Sequence, residues 1–142
     1  LRSRRDIMLE NYCKSIVIEA NTMVDMARTQ IIPAVESYAA RVAKDAASKR
    51  AVLPGLKMIY EEGLITELSA LAEEAALKAE ELRSAVSEVS SAGDIVEEAY
   101  SIRDRLLPIM EELRVPCDKA ETLTAKSYWP FPTYADLLFG VK

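Results

Sequence analysis

The sequence predicts an all-α protein: an antiparallel bundle of three long helices, the first kinked at Pro33, followed by a short fourth helix and an extended aromatic C-terminal tail. Three observations carry this. The composition favours helix over sheet, with 20 alanines, 4 glycines and 6% aromatic residues in a chain of 142. Small and apolar residues recur at three- and four-residue steps over long stretches, which places them on one side of a 3.6-residue helix. The aromatic residues gather at one end, five of nine within the final 15 positions. The division expected is a bundle over 1–126 and a tail over 127–142.

The first helix is read from about Asp6 to Ala47, on a stripe that includes Leu9, Tyr12, Ile16, Ala20, Met23, Ala27, Ile31, Val35 and Val42. Its ~40 residues would run ~60 Å at 1.5 Å each. Pro33 lies inside it, lacks a donor for the carbonyl four residues back and crowds that turn, which predicts a bend over 29–33. Residues 48–63, with Pro54-Gly55 and Gly63, read as a connection. Its apolar residues, Val52, Leu53, Leu56, Met58, Ile59 and Tyr60, predict that it packs back on the bundle.

The second helix carries a heptad seam: Leu64, Leu68, Leu71, Ala75, Lys78, Leu82, Ala85 and Val89. Lys78 is the one polar member, with a stem long enough to reach water and Glu74 at the favourable i−4 position. Ser90 to Asp94 reads as a turn, with Asp94 as N-cap. The third helix repeats the seam through Ile95, Ala99, Ile102, Leu106, Ile109 and Leu113, and Pro116 is expected to end it. A fourth short helix follows over 117–126. The second and third helices, at ~38 Å and ~30 Å, fall short of the first. The expected overhang is the first helix's N-terminal half.

In the tail, Trp129-Pro130-Phe131-Pro132 favours extended backbone, because each proline fixes its own φ and restricts the residue before it. Thr133 is placed to cap a last turn, with Asp136 three residues on. Aromatic rings at this density require cover, either on the bundle or on a neighbour. The interface candidates are therefore Leu9, Tyr12, Ile16 and Met23 from the long helix, and Trp129, Phe131, Tyr134 and Phe139 from the tail.

The chain carries no histidine, which removes the commonest general base and the usual zinc and di-iron helical sites. No phosphate-binding glycine loop is present. Adjacent acids such as Glu61-Glu62, Glu73-Glu74 and Glu97-Glu98 point about 100° apart on a helix and read as solvated faces. Catalytic, cofactor-binding and metal-binding residues are accordingly expected to be none. A net charge of −5 argues against nucleic acid as a partner. No apolar run reaches membrane-span length, and Cys13 and Cys117 read as reduced thiols, so the expected compartment is the cytoplasm. The chain opens inside helical pattern without a starting methionine, which reads as a piece of something longer.

Three stretches go beyond periodicity: IMLENYCKSIVIEANTMVDMA at 7–27, QIIPAVESYAA at 30–40 and YWPFPTYADLLF at 128–139. Together with Leu106-Leu107-Pro108-Ile109-Met110 and Glu112-Leu113-Arg114, they resemble the C-terminal region of type III glutamine synthetase, the long-chain bacterial form. Ala135 departs from that pattern, which has glycine before the aspartate. The resemblance implies a parent enzyme that ligates ammonia to glutamate with ATP and Mg²⁺ or Mn²⁺, in a ring-stacked homo-oligomer. It also implies that the nucleotide and metal sites lie upstream, in the catalytic domain, so that none falls on a residue here. The partners implied are that catalytic domain and neighbouring subunits. The alternative reading is a free-standing helical scaffold for protein–protein interaction, with no enzymatic activity.

Overall fold

Three helical rods are laid side by side in the computed structural model, which describes residues 3–91 and 93–132. The first rod comprises α1 (Arg4–Met26), a π-helical turn (Ala27–Ile31) and α2 (Ile32–Val52). The second is α3 (Ile59–Ser90). The third comprises α4 (Ile95–Ser101), a second π turn (Ile102–Leu106) and α5 (Leu107–Leu123). Among the described residues there is no strand.

The ends of these rods follow from local chemistry. Ser3 caps α1, its Oγ accepting the Asp6 N–H at 3.1 Å, and the Asp6 carboxylate sits at the positive end of the helix dipole. Asp94 caps α4 as expected, accepting the Val96 N–H at 3.2 Å. Between α2 and α3 the chain turns in six residues. Leu53 closes the last turn of α2 on the Lys49 carbonyl, and Leu56 donates back to Leu53 across Pro54-Gly55.

Both π turns answer the same problem. The residue ahead of each proline donates to the carbonyl five positions back, Ile32 to Ala27 and Leu107 to Ile102. The widened turn draws the backbone away from the rings of Pro33 and Pro108, where a tight α turn would collide with them. Each rod therefore passes its proline without a break. The Ile-Ile-Pro and Leu-Leu-Pro runs are the sequence marks of the device.

Several expectations are corrected. Pro116 does not end its helix; α5 continues through it to Leu123, so the separate fourth helix is the last part of α5. Pro116 stands on the buried seam, where Ile102, Leu106, Ile109, Leu113 and Ala120 continue the four-three spacing. Burying its ring and the turn beyond it offsets the one backbone hydrogen bond it cannot make. The connection over 48–63 shrinks to 53–58, because α2 extends to Val52 and α3 starts at Ile59 and takes in Gly63. Its apolar residues do not fold back: Met58 is buried, whereas Val52, Leu53, Leu56, Ile59 and Tyr60 are exposed. Lys78 leaves Glu74 aside and pairs with Glu112 on α5 at 2.7 Å and with Glu81 at 3.2 Å.

The core lies in two clusters along α3. One joins Cys13, Ala20 and Val24 of the first rod with Ala79, Leu82 and Val89 of α3 and with Ile102, Leu106 and Leu113 of the third rod. The other joins Val35 and Ala39 with Leu64, Leu68 and Ala72, and with Ala120. Sitting between two neighbours, α3 buries a second line, Ala72, Ala79 and Val86, beside its heptad seam. Partners run in opposite order along α3 and the third rod, where Glu88 meets Arg105 and Lys78 meets Glu112; across the α2–α3 turn, Lys49 meets Glu61 and Arg50 meets Glu62.

Candidate functional site

The described residues present apolar surfaces at the α1 end and at the α2–α3 turn. No group of three or more His, Cys, Asp or Glu side chains among them could hold a metal ion. Several of the acids serve ion pairs and helix ends. Arg83 lowers the Glu80 carboxyl below its ordinary range through a side-chain hydrogen bond, and Arg103 does the same for Asp104. Cys13 and Cys117 are both free thiols. Burial pushes the Cys117 thiol up to about 11, with Asp118 adding to the effect. No helix among the described residues is long and apolar enough to cross a membrane.

The eight interface candidates fall into three groups. Ile16 and Met23 are partly buried and pack against the larger core cluster. Met23 also lines a cavity of about 180 Å³ beside the first π turn, with Met26, Ala27, Ile31, Leu113 and Cys117. Leu9 and Tyr12 sit nearer the surface. Leu9 shares a groove with Arg5, Val96, Ala99 and Tyr100, while Tyr12, Ile7 and Met8 are exposed. The N-terminal half of the first rod is therefore not a bare overhang. The third rod is longer than its sequence pattern suggests, and α4 returns beside α1 and covers one flank of it.

Of the tail candidates, Tyr134 and Phe139 lie outside the described residues. Trp129 packs against the smaller core cluster, and its ring meets that of Phe131 edge-on at 6.3 Å. A turn brings them there: Tyr128 donates its N–H to the Ala125 carbonyl, and the Trp129 N–H is shared between Ala125 and Lys126. The ring of Tyr128 lies 5.3 Å from that of Tyr38, and its hydroxyl oxygen accepts from Arg41 Nη1 at 3.3 Å. Sequence reasoning missed the exposed set at the α2–α3 tip. Its signal was an apolar run flanking Pro-Gly that belongs to no seam.

The described residues form an all-helical domain with buried seams and exposed apolar residues at its ends. Comparison with known proteins shows what the chain is similar to. Residues 1–50 match the family model described as glutamine synthetase C-terminal domain. A glutamine synthetase of Butyrivibrio fibrisolvens is 31% identical over 140 residues, covering 99% of this chain and 20% of that protein. The type-3 glutamine synthetase of Dictyostelium discoideum is 28% identical over 98% of this chain, and a glutamine synthetase of Bacteroides fragilis strain YCH46 is 25% identical over 98%. The chain spans about a fifth of the length of these relatives. It is similar to the C-terminal domain of glutamine synthetases, the type 3 form among them, in line with the resemblance of the motifs at 7–27, 30–40 and 128–139.

Proposed function

We propose that this chain is the helical accessory domain of a glutamine synthetase, packing against the catalytic domain and neighbouring subunits and holding no active site of its own. The observation that carries it is the match of 98–99% of the chain to only 20% of each relative. The parent's activity would be ATP-dependent ligation of ammonia to glutamate with Mg²⁺ or Mn²⁺, in a cytoplasmic homo-oligomer. In this reading the three rods form an antiparallel bundle over 1–126, deflected at the π turn ahead of Pro33. The tail over 127–142 packs on the bundle or on a neighbour. The opposed order of the ion pairs between α3 and the third rod supports the antiparallel arrangement of those two, and the six-residue turn between α2 and α3 supports it for the first rod.

The surface favoured for the neighbour is the N-terminal end of α1, where Leu9 and Tyr12 stand with exposed Ile7 and Met8. Isolated apolar residues are ordinary on a surface, but a contiguous set marks an interaction site. Two measurements test the reading. The chain alone should show no γ-glutamyl hydroxamate formation, and turnover by it would overturn the accessory role. In the full-length parent, Tyr12→Asp should reduce the oligomer while leaving the melting of the isolated domain unchanged. An oligomer of unaltered size would remove Tyr12 from the interface.

A further inference from the structure

Among the described residues, the three most exposed large apolar side chains stand together at the α2–α3 turn. Val52 and Ile59 are each 78% exposed and Tyr60 is 73% exposed, with exposed Leu53 and Leu56 between them. The turn that carries them is well fixed. Met58, inside the run, is buried, and its carbonyl accepts the Glu62 N–H at 2.9 Å. Leu56 donates to the Leu53 carbonyl at 3.0 Å across Pro54-Gly55. At the base, Lys49 and Arg50 pair with Glu61 and Glu62 at 3.4 and 3.2 Å. Side chains held on such a backbone lose less freedom on being covered than those of a flexible loop. A contiguous apolar set of this kind marks an interaction site.

Its size and charge indicate the partner. The five side chains expose about 600 Å² per chain, so two chains meeting there would bury about 1,200 Å², the lower end of the range for specific association. The charge around the tip points the same way. From Lys49 to Glu62 there are three basic residues, Lys49, Arg50 and Lys57, and two acidic ones, Glu61 and Glu62, a local net of +1 in a chain of −5. An acidic chain repels its own copy over most approaches, and this patch is spared that repulsion. A two-fold contact sets a surface against itself, so a charged rim must carry both signs. Here the rim does, and the bases of one copy can face the acids of the other. A strongly acidic or strongly basic partner would find no matching patch.

We propose that the α2–α3 tip is a self-association site, and that its partner is the same tip on a second copy of this chain, related by a two-fold axis. Val52, Ile59 and Tyr60 form the apolar centre of the contact, and Lys49, Arg50, Glu61 and Glu62 form its rim. The site is separate from the α1 end and does not depend on the accessory reading.

Sedimentation equilibrium of the 142-residue chain over a series of concentrations tests this. The expected result is a monomer–dimer equilibrium with a micromolar dissociation constant, which Ile59→Asp raises by about tenfold or more. Ile59 is the first residue of α3, where a carboxylate favours the helix, so that variant keeps its fold and an unchanged far-UV circular dichroism spectrum. Tyr60→Ser, a milder change, should weaken the dimer in the same direction. Leu77→Asp, on an exposed stretch of α3 away from the tip, should leave it unchanged. A chain that stays monomeric at every concentration would overturn the proposal and assign the tip to another segment or a different protein. A dimer that Ile59→Asp leaves intact would overturn it as well, by placing self-association on another face. Neither readout involves glutamine synthetase activity, so its failure leaves the accessory reading standing.

Discussion

Two leucines on one helix, five positions apart, separate burial from composition. Leu82 is 0% exposed and sits in the larger core cluster, where α3 meets both other rods. Leu77 lies on the opposite side of the same helix and is 68% exposed. Leu82→Ala removes three carbons from a site closed on all sides, at a transfer cost of about 2.4 kcal/mol. A residual cavity of about 50 Å³ adds roughly 1.2 kcal/mol at ~24 cal/mol per Å³. The expected loss of about 3.5 kcal/mol is a large part of the roughly 7–20 kcal/mol typical for a domain of this length. It should lower the melting temperature by about 10 °C. Leu77→Ala creates no cavity and surrenders only the small share of area that is covered, so its cost should stay below about 1 kcal/mol. Urea unfolding of the two variants beside the parent chain gives both numbers. If the costs differ by less than about 1 kcal/mol, the placement of α3 between the other rods is wrong.

Two further outcomes follow from local features. Gly63 lies within α3, and a Cβ built on it meets nothing within 4 Å. Gly63→Ala should therefore stabilise by about 0.5–1 kcal/mol through the unfolded chain, and a destabilised variant would show strain at that position. The Cys117 thiol, held up to about 11, should carry roughly a hundredfold less thiolate at pH 8 than an ordinary cysteine and alkylate correspondingly slowly. Because the folded state holds this proton more tightly than the unfolded state, its contribution to stability is complete below about pH 9 and is lost as pH rises towards 11. An alkylation rate that levels off near pH 9 would contradict that.

The residues that self-report in one dimension are those of the seams. Leu64, Leu68, Leu71, Leu82 and Val89 were legible as buried because a repeat of four and three can face only one way on a helix. The caps Ser3 and Asp94 depend on neighbours within three residues, and Asp94 could be read directly. The motifs at both ends carried the relationship to glutamine synthetases, since they are not periodic.

What only tertiary structure decided is where two segments compete for the same surface. Pro116 stays helical because its ring fills the seam between rods, a return that its own sequence neighbourhood does not contain. Pro33 and Pro108 are passed by π turns because the rods on either side are already held by packing. Lys78 chose Glu112 over Glu74 because the approach of α5 set a carboxylate 2.7 Å from its ammonium. The apolar run beside Pro54-Gly55 looked like core by composition and stands outward, apart from Met58, because it turns the chain at the end of the α2–α3 hairpin instead of lying on a seam between rods. Composition states how much apolar surface a chain carries. Only the fold decides which part of it remains for a partner.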